Sequence, residues 1–96
     1  MSTYGPINGI WTAGNYDLLD DDLRKDWATR AVVMTDWWAK MNEEGEEGSQ
    51  SNTIPMVRAQ NDVYMVVSDS ASNSANDNTM EGLADGRLTR GQLVRK

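Results

Sequence analysis

The sequence has 96 residues and contains no cysteine, no histidine and no phenylalanine. The missing cysteines exclude disulfides and thiolate metal ligands, and the missing histidines exclude Ser-His or Cys-His catalysis within this chain. No apolar run approaches the roughly 20 residues that a membrane-spanning helix needs. The first residues show neither the basic start nor the apolar core of a signal peptide. We therefore predict no membrane partner, and the missing signal peptide favours a cytoplasmic location.

Positive charge is also scarce, with nine Lys and Arg residues against fifteen Asp and Glu residues, for a net charge of −6. This balance argues against nucleic acid or an anionic membrane as a partner. Neither a metal nor a cofactor is predicted. The acidic runs 20–22 and 43–47 lack the ligand spacing of an EF-hand, and consecutive helical residues point in different directions around the axis. We interpret both runs as solvated surface.

The most informative stretch is 31–38, where four apolar residues lead into Thr35, Asp36 and two tryptophans. A continuous apolar run of this length predicts a strand that is buried on both faces. Asp36 would then lie at the carboxyl end of the strand, where open α/β sheets and barrels bind ligands. A carboxylate beside two large aromatic rings, those of Trp37 and Trp38, is suited to sugar chemistry, since the rings can stack on a pyranose. In the alternative interpretation, Asp36 caps the next helix and the tryptophans lie in the core.

Helical and strand patterns alternate along the chain, which predicts an α/β fold with about three parallel strands and intervening helices. The clearest helix covers residues 17–27, with an apolar stripe at Leu19, Leu23 and Trp27. Residues 1–96 are interpreted as a single segment, since the length allows one domain at most. Two complete β-α units neither close a barrel nor cover a sheet, so each strand would lie at or near an edge. The other predicted elements are a strand end at 1–4, helical turns within 53–60, a strand at 62–67, a helix at 79–85 and a helix beginning at 89.

Several motifs along the chain occur in the order in which one known family has them. They are Tyr-Gly-Pro-Ile-Asn-Gly at 4–9, Leu-Arg-Lys-Asp-Trp at 23–27, and Val-Val-Met-Thr-Asp-Trp-Trp at 32–38. Two later stretches, 60–65 and 81–95, continue the series. Together they resemble glycoside hydrolase family 3, which comprises β-glucosidases and related exo-acting enzymes. The resemblance extends over essentially the whole chain, and the strand that closes on Thr-Asp-Trp is its specific part.

The resemblance implies a (β/α)8 barrel with a second α/β domain, of which this chain would be a partial barrel containing the last three strands. By the same resemblance, Asp36 is the catalytic nucleophile that forms a covalent glycosyl intermediate with overall retention of configuration. Tyr4 would line the sugar pocket and Trp37 would flank the sugar. Trp38 matches only a variable position and receives no role. The implied partners are a β-glucoside-like carbohydrate and either the remainder of the barrel or other copies of the chain.

The chain departs from the family pattern just before the strand, where Ala28 and Ala31 replace two glycines. If either position requires a positive φ, alanine there is strained by roughly 1 kcal/mol or more. The general acid/base lies outside the matched motifs, so we predict a segment of a retaining β-glucosidase-like hydrolase that is inactive alone. The alternative is a non-catalytic, truncated or interaction domain, with weak carbohydrate binding through Trp37 and Tyr4.

Overall fold

The structure is a computed structural model that describes residues 1–95, a small mixed assembly of helices and strands with two two-stranded sheets. Within these residues, no helix is long and apolar enough to cross a membrane. The elements in chain order are β1 (Pro6–Ile7), β2 (Ile10–Trp11), a 3₁₀ turn (Thr12–Gly14), a π-helix (Asp17–Asp26), β3 (Met34–Trp37), α1 (Ile54–Arg58), β4 (Val63–Met65), α2 (Thr79–Asp85) and α3 (Arg90–Val94).

The first sheet is a hairpin of β1 and β2, which pair antiparallel around Asn8 and Gly9. Both turn residues have positive φ, 50° and 84°. A type I′ turn requires this conformation at both central positions, and Asn-Gly is a favoured sequence for it. The Asn-Gly turn therefore closes the hairpin within the segment that the family motif covers.

The second sheet pairs β3 with β4 in parallel, with Met34 opposite Val63. On the other edge of β3, the backbone N–H of Ser2 donates to the carbonyl of Met34 over 2.7 Å. The N-terminal segment thus runs beside β3 but is not itself a strand. The prediction of about three parallel strands is confirmed in part: two strands pair in parallel, and residues 1–95 show no barrel.

The apolar run before Asp36 is less buried than predicted. Val33 is buried, but Val32 is 68% exposed, and β3 begins only at Met34. In the second predicted strand, β4 is limited to three residues, and Val63 and Val66 are exposed. The prediction of strands buried on both faces was therefore wrong: within residues 1–95, Trp37 in β3 and Val63 in β4 are exposed.

The predicted helix at 17–27 is present, but residues 17–26 form a π-helix rather than an α-helix. Just before the helix, the Asn15 side chain accepts from the N–H of Leu18 over 3.1 Å and so binds one of the free N–H groups of the first turn. Leu19 is buried, whereas Trp27 is 72% exposed. The predicted apolar stripe was therefore wrong at Trp27, because a π-helix has more residues per turn and shifts the side chains that follow.

Asp20 contradicts the prediction that the acidic triplet is solvated, because its side chain is fully buried. Its carboxylate pairs with Lys25 at 3.1 Å and with Arg95 at 3.2 Å, which ties the π-helix to the end of the described chain. Burial alone would raise the pKa of Asp20. Hydrogen bonds from Tyr16 and Lys25, and the charges of Lys25 and Arg95, outweigh burial and lower that pKa.

The most buried element is α1, which contributes to three apolar clusters. Met56 packs with Ala13, Ala39 and Met41; Ala59, just after α1, packs with Leu19 and Val33; Ile54 and Val57 pack with Leu88. Proline in the first turn of a helix removes no internal hydrogen bond, which explains why Pro55 is tolerated there. The predicted helical turns within 53–60 are confirmed. We call residues 54–59 and these three clusters the α1 core.

The two C-terminal helices end and begin where the sequence indicates. Gly86 follows α2 with φ 85°, the left-handed conformation that favours glycine at a helix end. Thr89 and Gln92 form a reciprocal capping box at the start of α3. Both predictions are confirmed, although Lys96 lies outside the described residues.

Candidate active site at the end of β3

The carboxyl end of β3 fixes the position of Asp36. Thr35, directly before it, is fully buried, and its hydroxyl accepts from the N–H of Met65 over 2.9 Å and donates to the carbonyl of Asp36 over 2.8 Å. One carboxylate oxygen of Asp36 accepts from the N–H of Trp37 over 2.8 Å. The short side chain and these hydrogen bonds hold the half-buried carboxylate at the end of the strand.

Tyr4 reaches this site from the N-terminal segment. Its hydroxyl donates to the carbonyl of Trp37 over 2.7 Å, although the two residues are 33 positions apart. Partial desolvation raises the pKa of Tyr4, and a hydrogen bond to Asp36 and the charge of Asp36 raise it further. A phenol with a raised pKa keeps its proton, which Tyr4 donates to the carbonyl of Trp37 next to the Asp36 carboxylate.

Trp37 and Trp38 lie side by side at the carboxyl end of β3. Their ring centroids are 5.8 Å apart at an interplanar angle of 81°, and each residue is 53% exposed. Together with Tyr4 and Asp36 they form what we call the Asp36 site. The structure thus brings together the three residues to which the family resemblance assigns roles, Tyr4, Asp36 and Trp37, with Trp38 beside them.

The structure does not support the interpretation of Asp36 as a helix cap. Residues 38–53 contain no helix, and the next helix, α1, begins at Ile54. At the start of α1, the N–H groups of Thr53 and Ile54 instead donate to the side-chain oxygen of Asn78, at 2.9 and 3.3 Å. The carboxylate of Asp36 is consequently available at the surface rather than committed to a helix.

An ion pair at the opposite end of β3 aligns the two parallel strands. Asp62 accepts from Arg24 over 2.7 Å and from the N–H of Val33 over 2.8 Å. The same guanidinium donates to the carbonyl of Gln60. Because Asp62 immediately precedes β4 and Val33 precedes β3, this contact sets their register and with it the position of Asp36.

A cavity of about 410 Å³ lies beside the site, and sequence reasoning did not find it. Trp38 and Tyr64 contribute aromatic rings to its lining, while Gln50, Ser68 and Ser74 contribute polar groups. Asp36 does not line it. No local pattern signals this cavity, because Gln50 and Ser74 lie in polar loops that resemble ordinary solvated segments.

Known proteins resemble this chain over nearly its entire length. It is 54% identical over 95 residues to a β-glucosidase of Ruminococcus albus, and 30% identical over 95 residues to an exo-α-(1→6)-L-arabinopyranosidase of Bifidobacterium breve. Each match covers 99% of this chain. A crystal structure of a β-glucosidase from Paenibacillus barengoltzii superposes with a TM-score of 0.90 at 53% identity, covering 94% of this chain. No family model matches the sequence.

The fold and these relatives place the chain among proteins related to glycoside hydrolases. Within that class it matches a segment of the β-glucosidases of glycoside hydrolase family 3. The resemblance drawn from the sequence motifs is thereby confirmed. The chain spans only about a tenth of the length of the relatives that it matches.

Proposed function

We propose that this chain is the segment of a β-glucosidase-like hydrolase that carries the catalytic nucleophile, Asp36. The observation that carries the proposal is the convergence of Asp36, Tyr4 and Trp37 at the carboxyl end of β3. The names of the relatives at 54% and 53% identity support a β-glucoside as the substrate class.

The chemistry follows from the placement of the carboxylate. Asp36 attacks the anomeric carbon of a terminal sugar while the bond to the leaving-group oxygen breaks, which produces a glycosyl ester on the carboxylate. Water then attacks the same carbon and releases Asp36, so that the configuration is retained overall. The Tyr4 hydroxyl stands beside the carboxylate and donates to the carbonyl of Trp37, and the exposed face of Trp37 offers a stacking surface for the pyranose.

The second carboxyl group of this mechanism is not assigned to any residue of this chain. A leaving-group oxygen of ordinary basicity needs a proton from a general acid, so the chain alone is expected to be inactive on natural glycosides. The exposed side chains of Val32, just before β3, and of Val63 in β4 support the remainder of a barrel as the missing partner. Exposed apolar surface of this kind is buried when another layer of structure packs against it.

A segment exchange tests the proposal. This chain replaces the matching residues of the Ruminococcus albus β-glucosidase, and hydrolysis of p-nitrophenyl β-D-glucoside is measured. Asp36→Asn should lower kcat roughly a thousandfold or more, because the amide cannot form the ester. The matched control is Asp26→Asn, which changes an exposed carboxylate at the end of the π-helix and should leave the rate unchanged. Equal rates in the two variants would contradict the proposal.

A second candidate function is non-catalytic, with weak sugar binding by the exposed indoles. The observation in its favour is that Trp37 and Trp38 are half exposed. The same exchange separates the two candidates. A sugar-binding surface without a nucleophile predicts that Asp36→Asn changes substrate affinity and leaves kcat intact.

A further inference from the structure

We propose that Asn61 is a positioning residue for the Asp36 site, because its side-chain amide holds the segment that carries Tyr4. The proposal rests on the proposed function, since it takes Asp36 as the nucleophile and Tyr4 as its neighbour. Asn61 lies just before the amino end of β4, whereas the Asp36 site lies at the carboxyl end of the parallel strand β3. Asn61 therefore acts from the opposite end of the sheet, through the residues that it binds.

Tyr4 has little burial of its own to hold it. It is 53% exposed, and Thr3 before it is exposed as well. Its hydroxyl nevertheless reaches the carbonyl of Trp37 over 2.7 Å. An exposed side chain with few packing contacts is ordered by the backbone on either side of it. The position of this hydroxyl therefore depends on how the chain is anchored before and after Tyr4.

The anchor before Tyr4 is Ser2, which is only 4% exposed. Its backbone N–H donates to the carbonyl of Met34 in β3 over 2.7 Å. Its hydroxyl accepts from the side-chain amide of Asn61 over 3.0 Å. Two residues of chain span at most about 7 Å, so the fixed position of Ser2 limits how far Tyr4 can move from β3.

The anchor after Tyr4 is Gly5. Its carbonyl accepts from the N–H of Thr12 over 3.2 Å and from the Thr12 hydroxyl over 2.9 Å. The residue after Thr12 is Ala13, whose carbonyl accepts from the Asn61 amide over 3.1 Å. The anchors on the two sides of Tyr4 thus converge on one amide group.

Asn61 is suited to this role because it is itself held firmly. Its side chain is fully buried, and its backbone N–H donates to the carbonyl of Met56 in α1 over 3.1 Å. A primary amide has two N–H donors, which match the two oxygens of Ser2 and Ala13. Leucine has a similar size but no donor, so Asn61→Leu should release both anchors and leave their oxygens without this partner.

The test is a double-mutant cycle between Asn61 and Tyr4 in the exchanged enzyme described above. Tyr4→Phe and Asn61→Leu should each lower kcat/KM for p-nitrophenyl β-D-glucoside about tenfold. The double variant should also lose only about tenfold, because either change removes the same hydroxyl from the site. A loss of about a hundredfold, the product of independent effects, would overturn the proposal, as would full activity of Asn61→Leu. If Asn61→Leu does not fold, Ser2→Ala replaces it in the cycle with the same expected non-additivity.

Asn78→Leu is the matched control. The Asn78 side chain accepts from the N–H groups of Thr53 and Ile54 and donates to Asn52 over 2.8 Å, so it ties the start of α1 to the segment before α2. Any loss that Asn78→Leu causes should multiply with that of Tyr4→Phe. If Asn78→Leu were as non-additive as Asn61→Leu, general loosening of the fold would explain both, and the proposal would be overturned.

NMR of the 96-residue chain measures the same link without catalysis. Nuclear Overhauser contacts between the Tyr4 ring and Trp37 should disappear in Asn61→Leu and persist in Asn78→Leu. Contacts that persist in Asn61→Leu would overturn the proposal, whatever the activity of Asp36→Asn. Full activity of Asp36→Asn would instead contradict the proposed function, and loss of the contacts in Asn61→Leu would then still show that Asn61 positions Tyr4.

Discussion

The α1 core and the Asp36 site lie in one small chain but differ in almost every physical respect. In the α1 core, Ile54 and Ala59 are fully buried and Val57 nearly so. At the Asp36 site, Tyr4, Trp37 and Trp38 are each 53% exposed, and the contacts that order them are hydrogen bonds to backbone groups. This chain therefore builds its own packed interior around a five-residue helix, while three of its four tryptophans are more than half exposed.

The α1 core therefore stabilises the fold, whereas the Asp36 site carries the proposed function. Buried apolar area stabilises the fold where α1 contacts its three clusters. The rings at the Asp36 site stay partly hydrated, so they remain free to meet a sugar or another part of a larger protein. Substitutions in the α1 core should therefore change the free energy of unfolding, and substitutions at the Asp36 site should change the rate of hydrolysis.

The sharpest test of the α1 core is Ile54→Ala. Removing a fully buried isoleucine leaves a cavity among Val57, Leu88 and the adjacent leucines, and should lower the free energy of unfolding by about 3 kcal/mol. Val32→Ala is the matched control, because Val32 is also an aliphatic residue but is 68% exposed; its effect should be below about 0.5 kcal/mol. Urea unfolding followed by circular dichroism measures both. Similar losses in the two variants would show that α1 is not the stabilising centre.

A smaller effect is expected at Asp20, which joins the π-helix to the C-terminal end. Asp20→Asn should lower the free energy of unfolding by about 1–3 kcal/mol at neutral pH, since Lys25 and Arg95 lose their charged partner. Because folding lowers the pKa of Asp20, its stabilising contribution is complete above its ordinary pKa and is lost as the pH falls through the lower value in the folded state.

Unfolding curves recorded between neutral pH and about pH 2 check this dependence. The unmodified chain should lose stability in acid more steeply than Asp20→Asn. The control is Asp22→Asn, in which the exposed member of the same acidic triplet is changed and the slope should stay as in the unmodified chain. A slope that is the same for all three proteins would contradict the assignment of Asp20 as a stabilising buried carboxylate.

The smallest predicted effect, of opposite sign, is at Ala28. This residue has φ 53°, where alanine is strained and glycine is not, so Ala28→Gly should raise the free energy of unfolding by about 0.5–1 kcal/mol. Ala31→Gly is the control: Ala31 is not among the residues with positive φ, and glycine there should destabilise the chain slightly. Thermal unfolding compares the two. Destabilisation by Ala28→Gly would mean that the surrounding loop relieves the strain.

Much of the Asp36 site could be anticipated because its determinants are local. The run into Thr35 and Asp36 defines the strand end, and the structure places Asp36 there. The strain expected if Ala28 replaced a glycine of positive φ is supported by its φ of 53°. These features follow from short motifs in which one residue type fits one backbone conformation.

The parts that the sequence did not reveal depend on distant partners. Asp20 is buried because Arg95, 75 positions later, meets it, and no local pattern contains that information. The central role of α1 was hidden by its shortness and by Pro55, which made it resemble a broken helix. Val32 was predicted to be buried because it belongs to a continuous apolar run. Such a run does not indicate which of its residues other parts of the chain will pack against.

The most direct test of Asp36 as the nucleophile is covalent labelling of the enzyme by a fluorinated substrate. The exchanged enzyme is incubated with 2,4-dinitrophenyl 2-deoxy-2-fluoro-β-D-glucoside, whose leaving group needs no acid catalyst, and its intact mass and peptide map are then measured. The account predicts a mass gain of one fluoroglucosyl group, located on Asp36 and absent from Asp36→Asn. An adduct on any other residue, or no adduct in an enzyme that hydrolyses β-glucosides, would contradict the assignment of Asp36 as the nucleophile.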